Sequence, residues 1–216
     1  MTTDVGDEIA RLRRDYLGDP LGVEEVDPDP VAQFRRWFGE AERAGVPDPN
    51  AMTLATVDTT GRPRARIVLL KGFDARGFVF YTNYDSDKGR ECDDAGVAAL
   101  VFFWNVLSRQ VRIEGTVVRV GRQESERYFA IRPRDSQIGA WASPQSRPVN
   151  SRQELEDAYD AADARFPGEV PCPEHWGGYR VVPDRIEFWQ GRPARMHDRV
   201  DYVRHGETWV RRRLAP

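Results

Sequence analysis

The chain is constrained most by a series of short apolar segments that are separated by turns of hairpin length. Residues 52–57 and 64–71 flank the turn Asp-Thr-Thr-Gly, and residues 97–104 and 110–120 flank a second short polar turn. Further strands are expected at residues 78–82, 179–182, 186–188 and 208–213. Connections of this length make neighbouring strands antiparallel, because parallel strands need much longer crossovers. The sequence therefore predicts a mainly β fold, an antiparallel, closed or partly open β-barrel with flanking helices.

Helices are predicted at intervals between the strands, at residues 31–44, 85–96, 122–131 and 151–166. The last of them begins with Ser151, and Glu154 follows three residues later, which is the pattern of a capping box. Pro133 disfavours a helical conformation at Arg132, so a break is expected there.

Composition sets the domain organisation and the classes of partner. Residues 1–30 are acidic and rich in Asp, Gly and Pro, which is typical of a mobile arm, and residues 31–216 show no linker or repeat and are predicted to form a single domain. The formal net charge of −3 gives no general attraction for nucleic acid. No apolar run approaches a membrane span, and the first residues lack the apolar core of a signal peptide. We expect a cytoplasmic protein without a nucleic-acid or membrane partner.

The common metal and nucleotide motifs are absent from the sequence. Cys92 and Cys172 are isolated, so neither a zinc site nor a disulfide framework is predicted. The chain contains no G-x-G-x-x-G, no G-x-x-x-x-G-K-[ST] and no H-E-x-x-H. No metal is expected, and any cofactor must be held in another way.

One candidate phosphate site lies where a predicted strand meets a helix. Tyr81 and Thr82 end the strand, and Ser86-Asp87-Lys88 begin the helix. Backbone N–H groups at a helix start, together with a hydroxyl and a lysine, suit a phosphate monoester. The pairs Arg109-Gln110 and Gln145-Ser146 offer further planar donors in loops or at strand ends.

A second candidate site consists of Tyr128, Arg132 and Ser136, which recur every four residues. Because Pro133 interrupts the helix, we expect the first two near the end of one helix and Ser136 near the start of the next. Two hydroxyls and a guanidinium could then converge on a phosphate, with Lys71 nearby. The alternative is that all three are ordinary surface residues of a helix.

Two further groups of cations lie on predicted strands. Arg66 and Lys71 are five positions apart, an odd number, so they are predicted to face opposite sides unless a bulge intervenes. After a turn at residues 190–193, Arg195, His197 and Arg199 occupy alternate positions and are predicted to share one face of a second strand. That face could hold an anion beside Trp189, although a solvated outer face would show the same pattern.

Taken together, these segments resemble the pyridoxine (pyridoxamine) 5'-phosphate oxidase family. The resemblance extends from Arg11 to Pro216, and its motifs run in the order R-R-D-Y, R-x-R-I-V-L-L-K, F-Y-T-N, R-P-R-D-S-Q-I-G-A-W-x-S-x-Q-S, W-G-G-Y, E-F-W-Q-G, R-x-H-D-R and R-L-x-P. The resemblance implies an FMN-binding split β-barrel that forms a homodimer, with one FMN in each of two clefts between the subunits.

The resemblance also implies roles for individual residues. FMN would be bound by Arg66, Ile67, Val68, Leu69, Leu70, Lys71, Tyr81, Thr82, Lys88, Gln110, Gln145, Ser146, Trp189 and Arg199. The substrate phosphate would meet Lys71, Tyr128, Arg132 and Ser136. Arg195 and His197 would bracket the pyridine ring as catalytic residues, and Arg13 and Tyr16 would belong to an N-terminal lid over the substrate.

One position departs from the family pattern. Asp87 stands between Ser86 and Lys88, where the family often has Arg. A carboxylate about 5 Å from a phosphate dianion would repel it by a few kcal/mol at an effective dielectric constant of about 20. We therefore expect either that Asp87 turns outwards or that FMN is held less tightly.

The activity implied by the resemblance is FMN-dependent oxidation of pyridoxamine or pyridoxine 5'-phosphate to pyridoxal 5'-phosphate, with O2 reduced to H2O2. One alternative is a related flavin oxidase with another substrate, as in phenazine pathways, although a substrate without phosphate would not need Tyr128, Arg132 and Ser136. Another alternative is a non-catalytic protein that binds FMN or pyridoxal phosphate, which Asp87 makes conceivable. Peroxide release on addition of substrate distinguishes both oxidases from the binding protein.

Overall fold

The computed structural model describes residues 5–12, 15, 16 and 18–216. Arg13, one of the predicted lid residues, lies outside these residues, whereas Tyr16 lies within them. The described chain contains the strands β1 (Ala51–Val57), β2 (Pro63–Leu69), β3 (Gly72–Asp74), β4 (Gly77–Asn83), β5 (Val97–Trp104), β6 (Arg109–Arg119), β7 (Trp176–Gln190), β8 (Asp198–His205) and β9 (Thr208–Leu214). Its helices are α1 (Val5–Arg11), α2 (Pro30–Arg43), α3 (Asp87–Ala95), α4 (Arg122–Ala130), α5 (Arg134–Ala142) and α6 (Arg152–Arg165).

The chain divides into two compact units. The terminal unit comprises the described residues up to Pro49 together with Phe103–Val111 and Ile186–Pro216, and the central unit comprises Asn50–Phe102 and Arg112–Arg185. Strands β5, β6 and β7 contribute residues to both units.

The central unit is built on an antiparallel sheet with the strand order β2-β1-β5-β6-β7-β4-β3. Ala51 of β1 pairs with Leu69 of β2, and Phe80 of β4 pairs with Tyr179 of β7. Side chains from one face of these strands are fully buried, as Leu54 and Phe80 show. The predicted mainly β, antiparallel architecture is confirmed.

The terminal unit packs helix α2 against aromatic side chains. Trp37 lies edge-on to Phe188, with ring centroids 5.2 Å apart, and Phe188 in turn packs against Tyr202 at 5.5 Å. All three are buried, which is what the helical spacing of apolar residues in α2 predicts. Strand β8 pairs with β9 and with β7.

Local signals in the sequence located several helix ends. Helix α4 ends at Ala130 and α5 begins at Arg134, so the break predicted from Pro133 is confirmed. Ser151 caps α6 by accepting a hydrogen bond from the Glu154 N–H at 3.1 Å. In a capping box the Glu154 carboxylate would accept from the Ser151 N–H, but here it accepts from the Asn150 N–H. Only the hydrogen bond to the Ser151 side chain is therefore the one expected.

Two expectations about strands were wrong. Residues 179–182 and 186–188 are parts of one 15-residue strand, β7, because Pro183 removes one N–H donor without preventing an extended backbone. After the turn, Pro193–Arg195 form a short 3₁₀ turn with positive φ at Ala194 and Arg195, and β8 begins only at Asp198. Arg195, His197 and Arg199 therefore do not alternate along a single strand.

Within the described residues, no helix is long and apolar enough to cross a membrane.

Candidate active site

A pocket in the central unit, here called the central pocket, collects most of the residues predicted to bind phosphates. It has a cavity volume of about 450 Å³. Its lining consists of Ile67, Val68, Leu69, Lys71, Tyr81, Thr82, Lys88, Tyr128, Arg132, Pro133, Ser136, Gln145 and Trp176. Thr82, Lys88 and Gln145 of the first predicted phosphate site and all four residues predicted for the substrate phosphate thus line one cavity, whereas Ser86, Gln110 and Ser146 do not line it.

Lys88 is held in place by three oxygen atoms around the start of α3. Its Nζ donates to Gln145 Oε1 at 2.8 Å and to the hydroxyls of Thr82 and Ser86 at 3.3 Å each. Ser86 is the N-cap of this helix and accepts from a backbone N–H in the first turn. Burial, followed by the positive charge of Arg66, lowers the pKa of Lys88. An anion here would meet a desolvated cation beside the N-terminus of a helix, an arrangement that favours phosphate.

Asp87 takes the first of its two expected orientations. Its carboxylate forms an ion pair with Arg90 Nη2 at 2.5 Å, and its side chain is 59% exposed. Asp87 does not line the central pocket, because helix α3 turns its side chain towards solvent and Arg90. The repulsion between its carboxylate and a bound phosphate is reduced by this pairing and by solvent.

Arg132 brings a buried hydrogen-bond donor to the central pocket. Its Nη1 is buried and meets no hydrogen-bond acceptor among the described residues. The guanidinium lies 4.6 Å above the ring of Trp176, and burial lowers the pKa of Arg132. A buried N–H of a charged group without a partner is costly, and a phosphate oxygen in the pocket would satisfy it.

An aromatic stack supports the neighbouring tyrosine. The rings of Tyr81 and Tyr128 are stacked with centroids 4.0 Å apart, and Trp176 continues the stack 5.4 Å from Tyr81. Burial raises the pKa of Tyr81 to about 12, so its hydroxyl stays protonated as a donor at neutral pH. The stack fixes Tyr128 on the same wall as Arg132.

Arg66 is positioned by residues that the sequence analysis did not single out. Its Nη2 pairs with Glu91 Oε2 at 2.7 Å, and its Nη1 donates to Thr56 Oγ1. Thr56 also donates to Glu91 at 2.6 Å, and both Thr56 and Glu91 are buried. Nothing local marks Glu91 in the sequence, because 25 positions separate it from Arg66.

Arg66 and Lys71 line different cavities. Arg66 faces a polar pocket shared with Asp87, Arg90 and Glu91, whereas Lys71 lines the central pocket. Leu70, another predicted FMN contact, is buried. Its N–H donates to the Asn50 carbonyl, and its own carbonyl accepts from Asn50 Nδ2.

The terminal unit contains the predicted C-terminal contacts. Arg199 donates from Nε and Nη2 to the two carboxylate oxygens of Glu187, each at 2.9 Å, which holds the guanidinium rigidly. The rings of Trp189 and His197 lie 4.6 Å apart, and Tyr16 stands edge-on to both at 5.5 Å. We call Tyr16, Trp189 and His197 the aromatic face.

His197 is prepared to donate a hydrogen bond from a defined nitrogen. Its Nδ1 accepts from the Arg192 backbone N–H at 3.1 Å. Burial, followed by the positive charge of Arg195, lowers the pKa of His197, so the ring is neutral at neutral pH. Because Nδ1 is the acceptor, the neutral ring carries its proton on Nε2.

The remaining predicted residues lie in several places. Arg195 is exposed, with φ of 63°. Gln110 is partly buried in β6 of the terminal unit, and Ser146 is exposed in the central unit with φ of 68°. Among the described residues, no group of His, Cys, Asp and Glu side chains could hold a metal ion.

Two protein-family models match consecutive parts of the chain. Residues 38–165 match the family model described as pyridoxamine 5'-phosphate oxidase, and residues 176–216 match the one described as the pyridoxine 5'-phosphate oxidase C-terminal dimerisation region. A pyridoxine/pyridoxamine 5'-phosphate oxidase of Rubrobacter xylanophilus is 57% identical over 210 residues, covering 97% of both chains. A protein of the same name from Pseudomonas fluorescens strain Pf-5 is 54% identical over 211 residues, covering 96% of this chain and 98% of the relative.

Solved structures share the fold. PhzG from Burkholderia lata, in complex with tetrahydrophenazine-1-carboxylic acid, superposes with a TM-score of 0.87 at 30% identity and covers 92% of this chain and 99% of its own. A pyridoxamine 5'-phosphate oxidase-related, FMN binding protein from Nostoc punctiforme gives a TM-score of 0.70 at 16% identity, over 85% of this chain and 97% of its own. The second similarity concerns the fold alone.

Proposed function

Because this chain belongs to the pyridoxamine 5'-phosphate oxidase family, we propose that it oxidises pyridoxamine 5'-phosphate, pyridoxine 5'-phosphate or both to pyridoxal 5'-phosphate in an FMN-dependent reaction. O2 is the electron acceptor and H2O2 is formed with either substrate; oxidation of the amine also consumes water and releases ammonia. The relatives of this name are more than 50% identical over almost their full length, which supports the same activity here.

The single observation in the structure that carries this proposal is the buried Nη1 of Arg132. It lacks an acceptor among the described residues, and it lies in a pocket that also contains Lys71, Tyr128 and Ser136. Two cations and two hydroxyls are a donor set for a phosphate dianion. A substrate without a phosphate would leave this set unsatisfied.

The donor set of the central pocket also fits FMN. Lys88, Thr82 and Gln145 form a polar corner at the start of α3, and Ile67 and Leu69 offer apolar surface to a flat ring. The chemistry supplied by FMN is acceptance of a hydride from the substrate and return of the electrons to O2. Further FMN contacts are proposed for Arg66, Val68, Leu70, Lys71, Tyr81, Gln110, Ser146, Trp189 and Arg199.

The residues of this chain mainly bind and orient. Arg132, Tyr128 and Ser136, with Lys71, are proposed to hold the substrate phosphate, which fixes one end of a small molecule. His197 is proposed to donate from Nε2 to the pyridine ring, and Arg195 to stabilise negative charge on it. Tyr16 is proposed to cover the substrate, together with Arg13.

The assembly proposed is a homodimer with one FMN in each of two clefts between subunits. The C-terminal match to the family's dimerisation region supports the dimer. We also propose that residues 31–216 form a single domain, that residues 1–30 form an N-terminal arm on it, and that the enzyme works in the cytoplasm.

One alternative has an observation in its favour. The likeness to PhzG raises the option of a phenazine-type oxidase with a carboxylic-acid substrate. The identity to that protein is 30%, against 54% and 57% to the two oxidases above, and the phosphate donor set argues for the phosphorylated substrate.

The experiment that tests the proposal is incubation of the FMN-loaded protein with pyridoxamine 5'-phosphate, and separately with pyridoxine 5'-phosphate, in air. We expect aldehyde absorbance and H2O2 to increase together in equal amounts. Tetrahydrophenazine-1-carboxylic acid, added as a third substrate, checks the alternative. Turnover of the phenazine acid alone, or no peroxide with any substrate, would contradict the proposal.

A further inference from the structure

A short segment that follows Tyr16 is tied to the turn between β7 and β8 by a guanidinium. Arg192 Nη1 donates to the backbone carbonyl of Gly18, and Arg192 Nε lies 3.5 Å from the carboxylate of Asp198. The two partners are 174 positions and 6 positions away in the sequence, so a single side chain joins the N-terminal segment to the C-terminal turn.

Leu21, three residues after Gly18, forms a second set of hydrogen bonds to the C-terminal part of the chain. The N–H of Leu21 donates to Asp198 Oδ2 at 3.1 Å, and the Leu21 carbonyl accepts from Arg213 Nη2 at 3.2 Å. Arg213 in turn pairs with Asp198 Oδ1 at 2.5 Å. Asp198 is thus shared by Arg192, Arg213 and the backbone of Leu21, and Leu21 itself is buried.

The contact between the segment and the turn is close. A Cβ atom added at Gly18 would lie 1.9 Å from Gln190 Nε2, and one added at Gly191 would lie 2.7 Å from the ring of Tyr16. At Gly18 the added Cβ would also lie 2.7 Å from the backbone oxygen of Gly191, whereas at Gly191 the obstacle is the Tyr16 side chain. The segment rests on the turn with no room for another side chain between them.

The position of Gly18 controls the position of Tyr16. Two residues of chain span at most about 7 Å, so a fixed Gly18 carbonyl confines Tyr16 to the neighbourhood of the turn. There its ring stands edge-on to Trp189 and His197 at 5.5 Å. Edge-on aromatic contacts are weak individually, and the side chain needs a further constraint to stay in one place.

We propose that Arg192 is a positioning residue that holds Tyr16 against the aromatic face by fixing the Gly18 carbonyl and Asp198. This inference rests on the proposed function, in which Tyr16 covers the substrate. Arg192 does not need to touch the substrate, because it acts through the backbone at Gly18. Its side chain is 30% exposed and that of Asp198 is 16% exposed, so the pairing is only partly screened by solvent.

The first test measures the segment directly. In the FMN-loaded Arg192→Gln variant, we expect the Leu21 amide to exchange with deuterium about tenfold faster than in the unmodified enzyme. The change frees the Gly18 carbonyl and removes one of the two arginines that pair with Asp198, the acceptor of the Leu21 N–H. Exchange of the Phe188 amide, in the buried part of β7, should not change. The matched control is Arg204→Gln, which removes the same charge from an exposed arginine whose Nε bonds to Gly206 in its own turn.

The second test asks whether Arg192 acts through Tyr16. We expect Arg192→Gln to raise KM for pyridoxine 5'-phosphate about tenfold while kcat stays within about twofold, the pattern of lost binding without a change in the chemical step. When Tyr16 is first replaced in Tyr16→Ala, the further change Arg192→Gln should have almost no effect on KM, because the two residues are one functional unit. Arg192→Lys keeps the positive charge but lacks the forked guanidinium. Its KM should lie between that of the unmodified enzyme and that of Arg192→Gln.

The outcomes separate this inference from the proposed function. Unchanged Leu21 exchange in Arg192→Gln, or additive effects of Arg192→Gln and Tyr16→Ala on KM, would overturn the role of Arg192 even if the unmodified protein is an active oxidase. The exchange measurement needs no turnover and therefore stands if the substrate is a different one. If Arg192→Gln does not fold, the same exchange and KM measurements on Arg192→Lys decide the question.

Discussion

At the scale of single residues, the cations of the candidate site differ in how far the described residues already satisfy their hydrogen-bond donors. Arg132 has a buried N–H without an acceptor among the described residues, although its guanidinium is supported by Trp176. Lys88, in contrast, already has three acceptors within the chain. A phosphate that binds here therefore adds a hydrogen bond at Arg132. At Lys88 it must compete with the three oxygen atoms that already accept from Nζ.

This difference makes Arg132 the more selective probe of the substrate phosphate. For Arg132→Ala we expect kcat/KM with pyridoxine 5'-phosphate to fall about 10-fold to 100-fold, because a charge-assisted hydrogen bond contributes roughly 1.5–3 kcal/mol. Activity with pyridoxine, which lacks the phosphate, should stay within about threefold of that of the unmodified enzyme. Steady-state kinetics with both substrates make the measurement.

The matched control for Arg132→Ala is Arg127→Ala, an exposed arginine on helix α4, which precedes Arg132 in the chain; it should leave both activities unchanged. An equal loss with pyridoxine and with its phosphate would show that Arg132 does not bind the phosphate.

At the scale of elements, the site depends on how closely two strands of the central unit approach. A Cβ atom at Gly115 in β6 would lie 2.0 Å from the carbonyl oxygen of Val182 and 2.9 Å from Pro183 Cα in β7. Both atoms belong to the backbone and cannot rotate away. Strand β7 begins with Trp176, which lines the central pocket, so the register of this contact is coupled to the site.

We therefore predict that Gly115→Ala lowers the free energy of unfolding by about 3 kcal/mol, the upper end of the roughly 1–3 kcal/mol that overpacking typically costs, because the neighbouring atoms belong to the backbone. Denaturant unfolding followed by circular dichroism measures the change. The control is Gly72→Ala in β3, where an added Cβ meets no atom within 4 Å and where we expect a change below about 1 kcal/mol. Equal stability of the two variants would contradict the close approach of β6 and β7.

At the scale of the whole molecule, an edge strand of the sheet exposes apolar side chains. Strand β2 is the first in the strand order, and Ile67 and Leu69 on it are 66% and 41% exposed. An edge strand with exposed apolar residues is a surface that a second chain covers well. The C-terminal match to a dimerisation region agrees with a homodimer.

We predict a mass of twice 24.7 kDa by light scattering and a melting temperature that rises with protein concentration. A hundredfold increase in concentration should stabilise the native dimer by about 2.7 kcal/mol, which shifts the melting temperature by a few degrees. Scanning fluorimetry at a constant excess of FMN separates this effect from loss of the cofactor. A melting temperature independent of concentration, together with a mass of 24.7 kDa, would rule out the dimer.

The sequence by itself determined most of the helices and strands and predicted residues that line the central pocket. Hairpin-length turns predicted the antiparallel strands, Pro133 predicted the break between α4 and α5, and Ser151 predicted the start of α6. These are local effects, since each depends on conformational preferences within a few residues of chain. The grouping of phosphate-binding residues in the central pocket followed from the family resemblance and not from any one spacing.

Only the tertiary structure decided which charges neutralise one another and where the backbone is constrained. Glu91 positions Arg66 across 25 positions, Gln145 accepts from Lys88 across 57, and Arg192 reaches Gly18 across 174. The left-handed conformations of Ala194 and Arg195 likewise interrupt the alternation that the sequence pattern predicted. Local preferences cannot specify such features, because each is set by packing between segments that are distant in sequence and meet only in the folded chain.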